Sequence, residues 1–213
     1  MAGVSYNLPI HSMTRIMVIA TFKVADEESM GYSATDTARK HERILDESIR
    51  LFRERGFSGV SVSEVMKAAG LTHGPFYNHF ASKDALIAET LTRDLQRATS
   101  GFDKLSPTQK GIAQYVDYYL SEDHRNDCSG GCAVAALASE VRQEEQVRGP
   151  FTEQLKGVIQ KLATRFPWRS RRSARGDAIY MYSTMIGAVI LARAVNDENF
   201  SREILAEARK RIR

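Results

Sequence analysis

From Thr35 onward the apolar positions recur at three- and four-residue spacing, the period of a helix and not of a strand. Thr35–Arg55 places Ala38, Ile44, Leu45, Ile49 and Phe52 on this period, and Gly56 follows where a left-handed C-cap belongs. Ser61 with Glu64 three residues on is a capping box, predicting a short helix that ends at Gly70. Thr72 predicts the cap of a second short helix reaching Phe80, and Ser82 the cap of a longer one to about Thr99. Ser106-Pro107 predicts the next start, with Pro at the first helical position and Tyr115, Tyr118 and Tyr119 farther along. Gly130-Gly131 precedes an apolar helix over Cys132–Val141. Gly149-Pro150 interrupts the stretch after it, and Phe151, Leu155, Val158, Ile159 and Leu162 resume the period. A basic connector, Pro167–Ser173, leads to two last helices at about Ala174–Val195 and Ser201–Ile212. There is no sustained strand alternation and no repeat, so the expected fold is all-α.

Two short helices joined by a Gly-containing turn, within Gly56–Leu86, form a helix-turn-helix pattern. Val62, Val65 and Ala69 supply the inner face of the first helix, Gly70 permits the reversal, and Leu71 fills the angle. Phe76 and Phe80 are four apart and predicted to face inward, which turns Gly74 and Asn78 outward beside Pro75 and Tyr77. Pro75 is tolerable near a helix start because the first N–H groups have no intrahelical partner. Gly74 lets backbone approach DNA closely. His73 and Asn78 suit base edges, while Tyr77, His79 and Lys83 suit phosphate oxygens. The backbone N–H groups at Thr72 and Ser82 are further anion donors.

Gly56-Phe57, Ser61-Val62, Glu64-Val65, Ala68-Ala69-Gly70-Leu71, Gly74, Phe76-Tyr77, His79-Phe80 and Ser82-Lys83-Asp84-Ala85-Leu86 together resemble the TetR (tetracycline-repressor-like) family signature. The likeness runs from Arg43 to Leu86 without a gap. It implies a one-component transcriptional regulator, usually a repressor, that binds a palindromic operator as a homodimer and is released by a small-molecule inducer. The family's commonest operator-contacting positions carry over to Ser61, His73, Tyr77, His79 and Lys83. Met66 and Pro75 depart from the family pattern, which often has Ala at the first position and Ser, Thr or Ala at the second. The implied organisation is an extension, 1–33, expected to be poorly ordered; a three-helix DNA-binding domain, 34–82; and a helical ligand-binding and dimerisation domain, 83–213.

Charge agrees with DNA as a partner without requiring it. The 213 residues carry net charge +4 with pI near 9.1, spread as −2, +2 and +4 over 1–38, 39–100 and 101–213. No basic tail exists, so a few placed groups must do the binding. The first 30 residues have no sustained period, and the apolar run Ile16–Phe22 is too short to span a bilayer. Met30 opens a natural-looking alternative start. Two cysteines suit a reducing cytoplasm, where the protein is expected, with no membrane partner.

Toward the C-terminal end, CAVAALASEV and MIGAVILARAVNDENFSREILAEARKRI are similar to one branch of the same family. Apolar residues nearly encircle the penultimate helix, and a helix apolar all round is buried on all sides. Ser183 with Gly187 leaves room for a neighbouring helix. A homodimer interface is therefore expected at Ser183, Gly187, Ile190, Leu191, Ile204 and Leu205, as an isologous four-helix contact. The family resemblance implies a ligand cavity, with Tyr115, Tyr119, Cys132, Trp168, Tyr182 and Met185 as its candidate lining. Cys128 and Cys132 lack the His partners of a tetrahedral metal site. Both read as packing residues, with a thiol switch at Cys132 as the alternative. His11, His41 and His124 receive no role. No phosphate loop, HExxH or nucleophile elbow is present, so neither an enzyme nor a cofactor is expected.

Overall fold

A computed structural model describes residues 34–212. The expected extension 1–33, with His11, the run Ile16–Phe22 and the alternative start at Met30, lies outside the described residues. The chain divides into two compact units, 1–42 and 43–213. The described part of the first, 34–42, is helical, and Asp36 there pairs with both Arg39 and Lys40 at 2.5 Å.

Helix α1 covers residues 34–55, and α2 covers Val62–Ala68. After a 3₁₀ helix at Gly74–Asn78 come α3, Lys83–Gly101; α4, Gln109–Tyr119; α5, Glu122–Asn126; and α6, Ala133–Val141. The last are α7, Glu145–Arg165; α8, Ala174–Ala194; and α9, Glu198–Ile212. No strand occurs among the described residues, and none of their helices is long and apolar enough to cross a membrane. In the second unit α7 packs on α3 and α8, and α9 packs on α8.

Apolar side chains gather into two clusters there. The first holds Ile44, Phe52, Phe57, Val65, Met66, Phe76 and Phe80 with Leu137 and Val141 of α6. The second holds Val116, Leu162, Met181, Met185, Val189 and Leu205. Three helices thread both: α3 gives Leu86, Ile87 and Leu91 to the first and Leu95 to the second, α6 divides Leu137 and Val134 likewise, and α7 gives Val147 to the first and Leu162 to the second. Met66, a departure from the family pattern, is fully buried and simply fills the first core.

Several predicted boundaries shift, each for a local reason. Thr108, not Ser106, caps α4, its hydroxyl accepting from the Gly111 N–H at 3.3 Å, so Pro107 lies before the helix. Helix α7 runs straight through Gly149-Pro150. The missing Pro150 N–H costs a single bond to the carbonyl four residues back. Helix α9 starts three residues early because the Asp197 carboxylate accepts from the N–H groups of Asn199 and Phe200. Ala38 is exposed, unlike the other apolar residues assigned to the first helix.

Candidate nucleic-acid interface

The turn before α2 begins at Gly56, whose φ of +73° is a conformation that side chains with a Cβ resist. Ser61 caps α2: its Oγ accepts from the Glu64 N–H, while its own N–H and O–H donate to the Glu64 carboxylate at 2.8 and 2.7 Å. Those bonds, the backbone one foremost, and Arg55 at 2.8 Å hold the Glu64 carboxyl down at about 2. Gly70, at φ +68°, makes the sharp reversal after α2 with the Arg43 guanidinium lying against it.

The recognition segment differs from expectation in one respect. Residues Gly74–Asn78 form a single 3₁₀ helix, preceded by His73, and Thr72 makes no cap. Its bonds are of the tighter kind, His79 N–H to the Phe76 carbonyl at 2.9 Å and Phe76 N–H to the His73 carbonyl at 3.1 Å. Pro75 supplies no N–H within this short run, and 3₁₀ turns are common in such pieces. Its orientation is as expected. Phe76 and Phe80 are buried at 1% and 3%, rings 5.7 Å apart, and Tyr77 stands 70% exposed. Thr72, His73, Gly74 and Asn78 are exposed beside it, with Pro75 half-buried. The buried pair is a peg that presents its neighbours as a ridge.

Three residues assigned to DNA contact have local roles. Ser61, expected at the operator, donates both its N–H and its O–H to Glu64. His79 is half-buried with its ring against Phe80. Lys83 Nζ donates to the Phe57 carbonyl at 2.5 Å, which leaves two ammonium donors. The Phe57 N–H, in turn, donates to the Glu140 carboxylate of α6 at 2.7 Å. One residue of the α1–α2 turn is thus held through both its N–H and its carbonyl, by α6 and by α3. The sequence carries no signal for this, because Glu140 is 83 residues away.

At the opposite end of α6 lies a cavity of about 390 Å³. Tyr115, Tyr119, Cys132 and Tyr182 line it as predicted. Trp168 does not; it lies in a separate groove with its indole N–H bonded to the Leu162 carbonyl at 3.1 Å. Met185 is fully buried in the second core and does not reach the cavity. The polar lining residues Arg53, Asp94 and His124 were missed. Arg53 of α1 pairs with Asp94 of α3 at 2.7 Å and donates to the Ser129 carbonyl, joining three segments at the cavity wall. Burial lowers the His124 pKa, and its Nδ1 bonds the Tyr119 carbonyl at 2.8 Å. Cys132 occupies the N-cap of α6 without a capping bond. No cluster of metal-ligating side chains occurs among the described residues.

On α8, Ile179, Tyr180, Ser183, Ile190 and Leu191 are exposed and Gly187 is half-buried, all along one side. Leu205 is a correction: at 2% exposure it is turned into the second core of its own chain, with Ile204 partly buried there too. The period of α9 alone does not say which of two adjacent apolar rows faces inward.

The sequence model described as bacterial regulatory proteins, tetR family, matches residues 44–90. The uncharacterized HTH-type transcriptional regulator YvdT of Bacillus subtilis is 30% identical over 59% of this chain and 68% of its own length. The HTH-type transcriptional repressor NemR of Escherichia coli is 28% identical over 57% of this chain and 64% of its own. A shorter stretch, 46% identical to YerO of B. subtilis, spans only 17% of that protein. In fold, the chain is similar to the crystal structure of reduced E. coli NemR, with TM-score 0.70 over 82% of this chain and 95% of that one at 23% identity. These relatives do not favour the thiol-switch alternative. The chain belongs to the TetR family of bacterial helix-turn-helix regulatory proteins, DNA-binding transcriptional regulators and not enzymes.

Proposed function

We propose that the protein is a repressor that binds a palindromic operator as a homodimer and is released by a small-molecule inducer held in the 390 Å³ cavity. The observation that carries DNA binding is the exposed ridge Thr72–Asn78 seated on buried Phe76. His73 and Asn78 read base edges, and Gly74 and Pro75 let the backbone come close. Thr72, Tyr77 and His79 meet phosphates, joined by Lys83 through its two remaining donors. A mobility shift with the DNA upstream of the protein's own gene tests this directly. His73→Ala is expected to cost about 1–3 kcal/mol at one base position and to relax preference there. Uniform weakening over all sequences would show that His73 contacts backbone instead.

Two helices connect cavity and ridge. Helix α3 starts at Lys83 and reaches the wall with Leu95 and Gly101, while α6 starts beside Cys132 and ends near Glu140. Their holds meet at one residue, Phe57, so a ligand that shifts either helix reorients the turn before α2. Two recognition segments must sit about 34–36 Å apart on DNA, and a small pivot breaks that spacing. Emptying an almost fully occupied operator needs roughly 10⁴-fold stronger ligand binding to the released arrangement. Glu140→Ala is expected to leave operator affinity within a few-fold and to blunt release by the inducer, both read in mobility shifts. Full inducer response in that variant would move the coupling elsewhere.

The exposed face of α8 supports the dimer. A Cβ at Gly187 would meet nothing within 4 Å in its own chain, so packing inside the protomer gives no reason for glycine there. A second helix crossing at Ser183 and Gly187, flanked by Ile190 and Leu191, does.

A further inference from the structure

Between Glu153 and Asp177 the chain carries seven basic side chains and no acidic one, more charge than the whole protein's net +4. Three of the seven are occupied. Lys156 pairs with Glu153 at 2.7 Å, Lys161 with Asp103 at 2.6 Å, and the Arg165 guanidinium donates to the carbonyls of Phe102, Asp103 and Leu105. The other four, Arg169, Arg171, Arg172 and Arg175, are exposed and have no ion pair or side-chain hydrogen bond among the described residues. Elsewhere arginines are matched to carboxylates, as Arg53 is to Asp94 and Arg125 to Glu198. The operator does not account for this patch. Arg165 ties it to the far end of α3, a 19-residue helix that starts at Lys83, so about 28 Å of helix separates it from the ridge.

Arg171 and Arg175 line a groove of about 660 Å³ between the end of α7 and the start of α8. Gln160, Thr164, Trp168 and Ser170 line it with them, and no acidic side chain does. The groove shares no lining residue with the aromatic cavity. Its connector wall is fixed in place: Trp168 donates its indole N–H to the Leu162 carbonyl at 3.1 Å, and Gln109 Nε2 donates to the Pro167 carbonyl at 2.6 Å. The half-buried indole is thus a held, flat surface in the same groove as two unmatched guanidinium groups. Helix α8 begins at the lining residue Ala174 without a side-chain cap, and its dipole adds positive potential there. A cleft lined by one sign of charge concentrates the opposite sign.

We propose that this groove binds a nucleotide, its phosphates held by Arg171 and Arg175 and its base against the Trp168 ring. Guanidinium forks match phosphate oxygens two at a time, and every base presents a π-face to an aromatic ring. The volume lies within the range of ordinary ligand sites and accommodates a base, a ribose and a phosphate chain together. An acidic peptide or an inorganic polyphosphate would meet the arginines but leave the indole unmatched.

Trp168 is the protein's one tryptophan, so its emission in the full chain reports this groove. Titrations with ATP, adenosine and tripolyphosphate, free of divalent metal, are read by that emission and by calorimetry. ATP is expected to change the emission to saturation and to bind about tenfold more tightly than either fragment. Arg171→Gln with Arg175→Gln removes exposed charges, so melting should stay as in the wild type while ATP affinity falls by about tenfold or more. Arg169→Gln with Arg172→Gln removes the same charge from outside the groove and should cost no more than about threefold. Equal losses in the two double variants would show diffuse attraction of a polyanion, and tripolyphosphate binding as tightly as ATP would show that the ring takes no part. Either result overturns the proposal. So does the absence of ATP binding, or tighter binding of poly-glutamate or non-operator duplex through the same arginines. Neither the cavity nor the ridge contributes a residue, so these outcomes are independent of inducer and operator.

Discussion

Ile190→Asp is expected to sediment as a monomer and to lose operator affinity by about two orders of magnitude or more. In the single chain Ile190 is 43% exposed, so an aspartate there stays solvated and the protomer keeps its fold. In a dimer formed through α8 the same carboxylate would sit in a dry, apolar contact beside Leu191 without a countercharge, at a cost of several kcal/mol. That cost falls on association alone. A monomer then engages one half-site and forfeits the effective concentration that links the second, a gain of roughly 10²–10⁴-fold. Sedimentation at micromolar concentration with a melting curve distinguishes lost association from misfolding. A monomeric wild type, or a dimeric Ile190→Asp that still binds operator, would remove α8 from the interface.

Phe76→Ala should destabilise the fold by about 3–5 kcal/mol, as large-to-small changes of fully buried aromatics do. Phe76 is 1% exposed, meets the Tyr77 ring edge-on at 5.2 Å and lies 5.7 Å from Phe80. Its carbonyl also accepts the His79 and Phe80 N–H groups at 2.9 and 3.0 Å, so losing its anchorage loosens the whole 3₁₀ helix. The midpoint of thermal unfolding should fall by about 10 °C in a chain of this size. Tyr77→Ala is the contrasting neighbour. With its side chain 70% exposed, it should change stability by no more than about 0.5 kcal/mol while weakening DNA binding. If the two variants lose stability alike, Tyr77 belongs to the core and the ridge is misassigned.

The legible parts of the molecule were those governed by neighbours in sequence. The capping box of Ser61 and Glu64, the left-handed glycines at 56 and 70 and the inward pair Phe76 and Phe80 all follow from spacing within one or two turns. Even there, competition between bonds escaped the pattern. Ser61 is expected at the operator because the family resemblance carries that position over, whereas in the folded chain its N–H and O–H go to Glu64. Thr72 and Ser106 are good cap residues in the wrong places, since the chain instead starts these helices at Gly74 and after Thr108.

Periodicity and capping chemistry are enough to specify an all-α chain, its helix order and a helix-turn-helix, because a helix closes its bonds within four residues. The grip on Phe57 and the cavity wall are different in kind. Glu140 reaches Phe57 across 83 residues, Arg53 reaches Asp94 across 41, and neither pair leaves a local trace. His124 reads as an isolated histidine until α5 brings it against Tyr119, and Trp168 and Met185 read as cavity residues until packing sends them elsewhere. Leu205 and Ile190 are equally apolar letters, and only the packing of α9 on α8 turns the first inward and leaves the second exposed. A local rule sets which residues share a helix face. Which face meets which neighbour depends on the burial of all helices at once, and that is settled only in three dimensions.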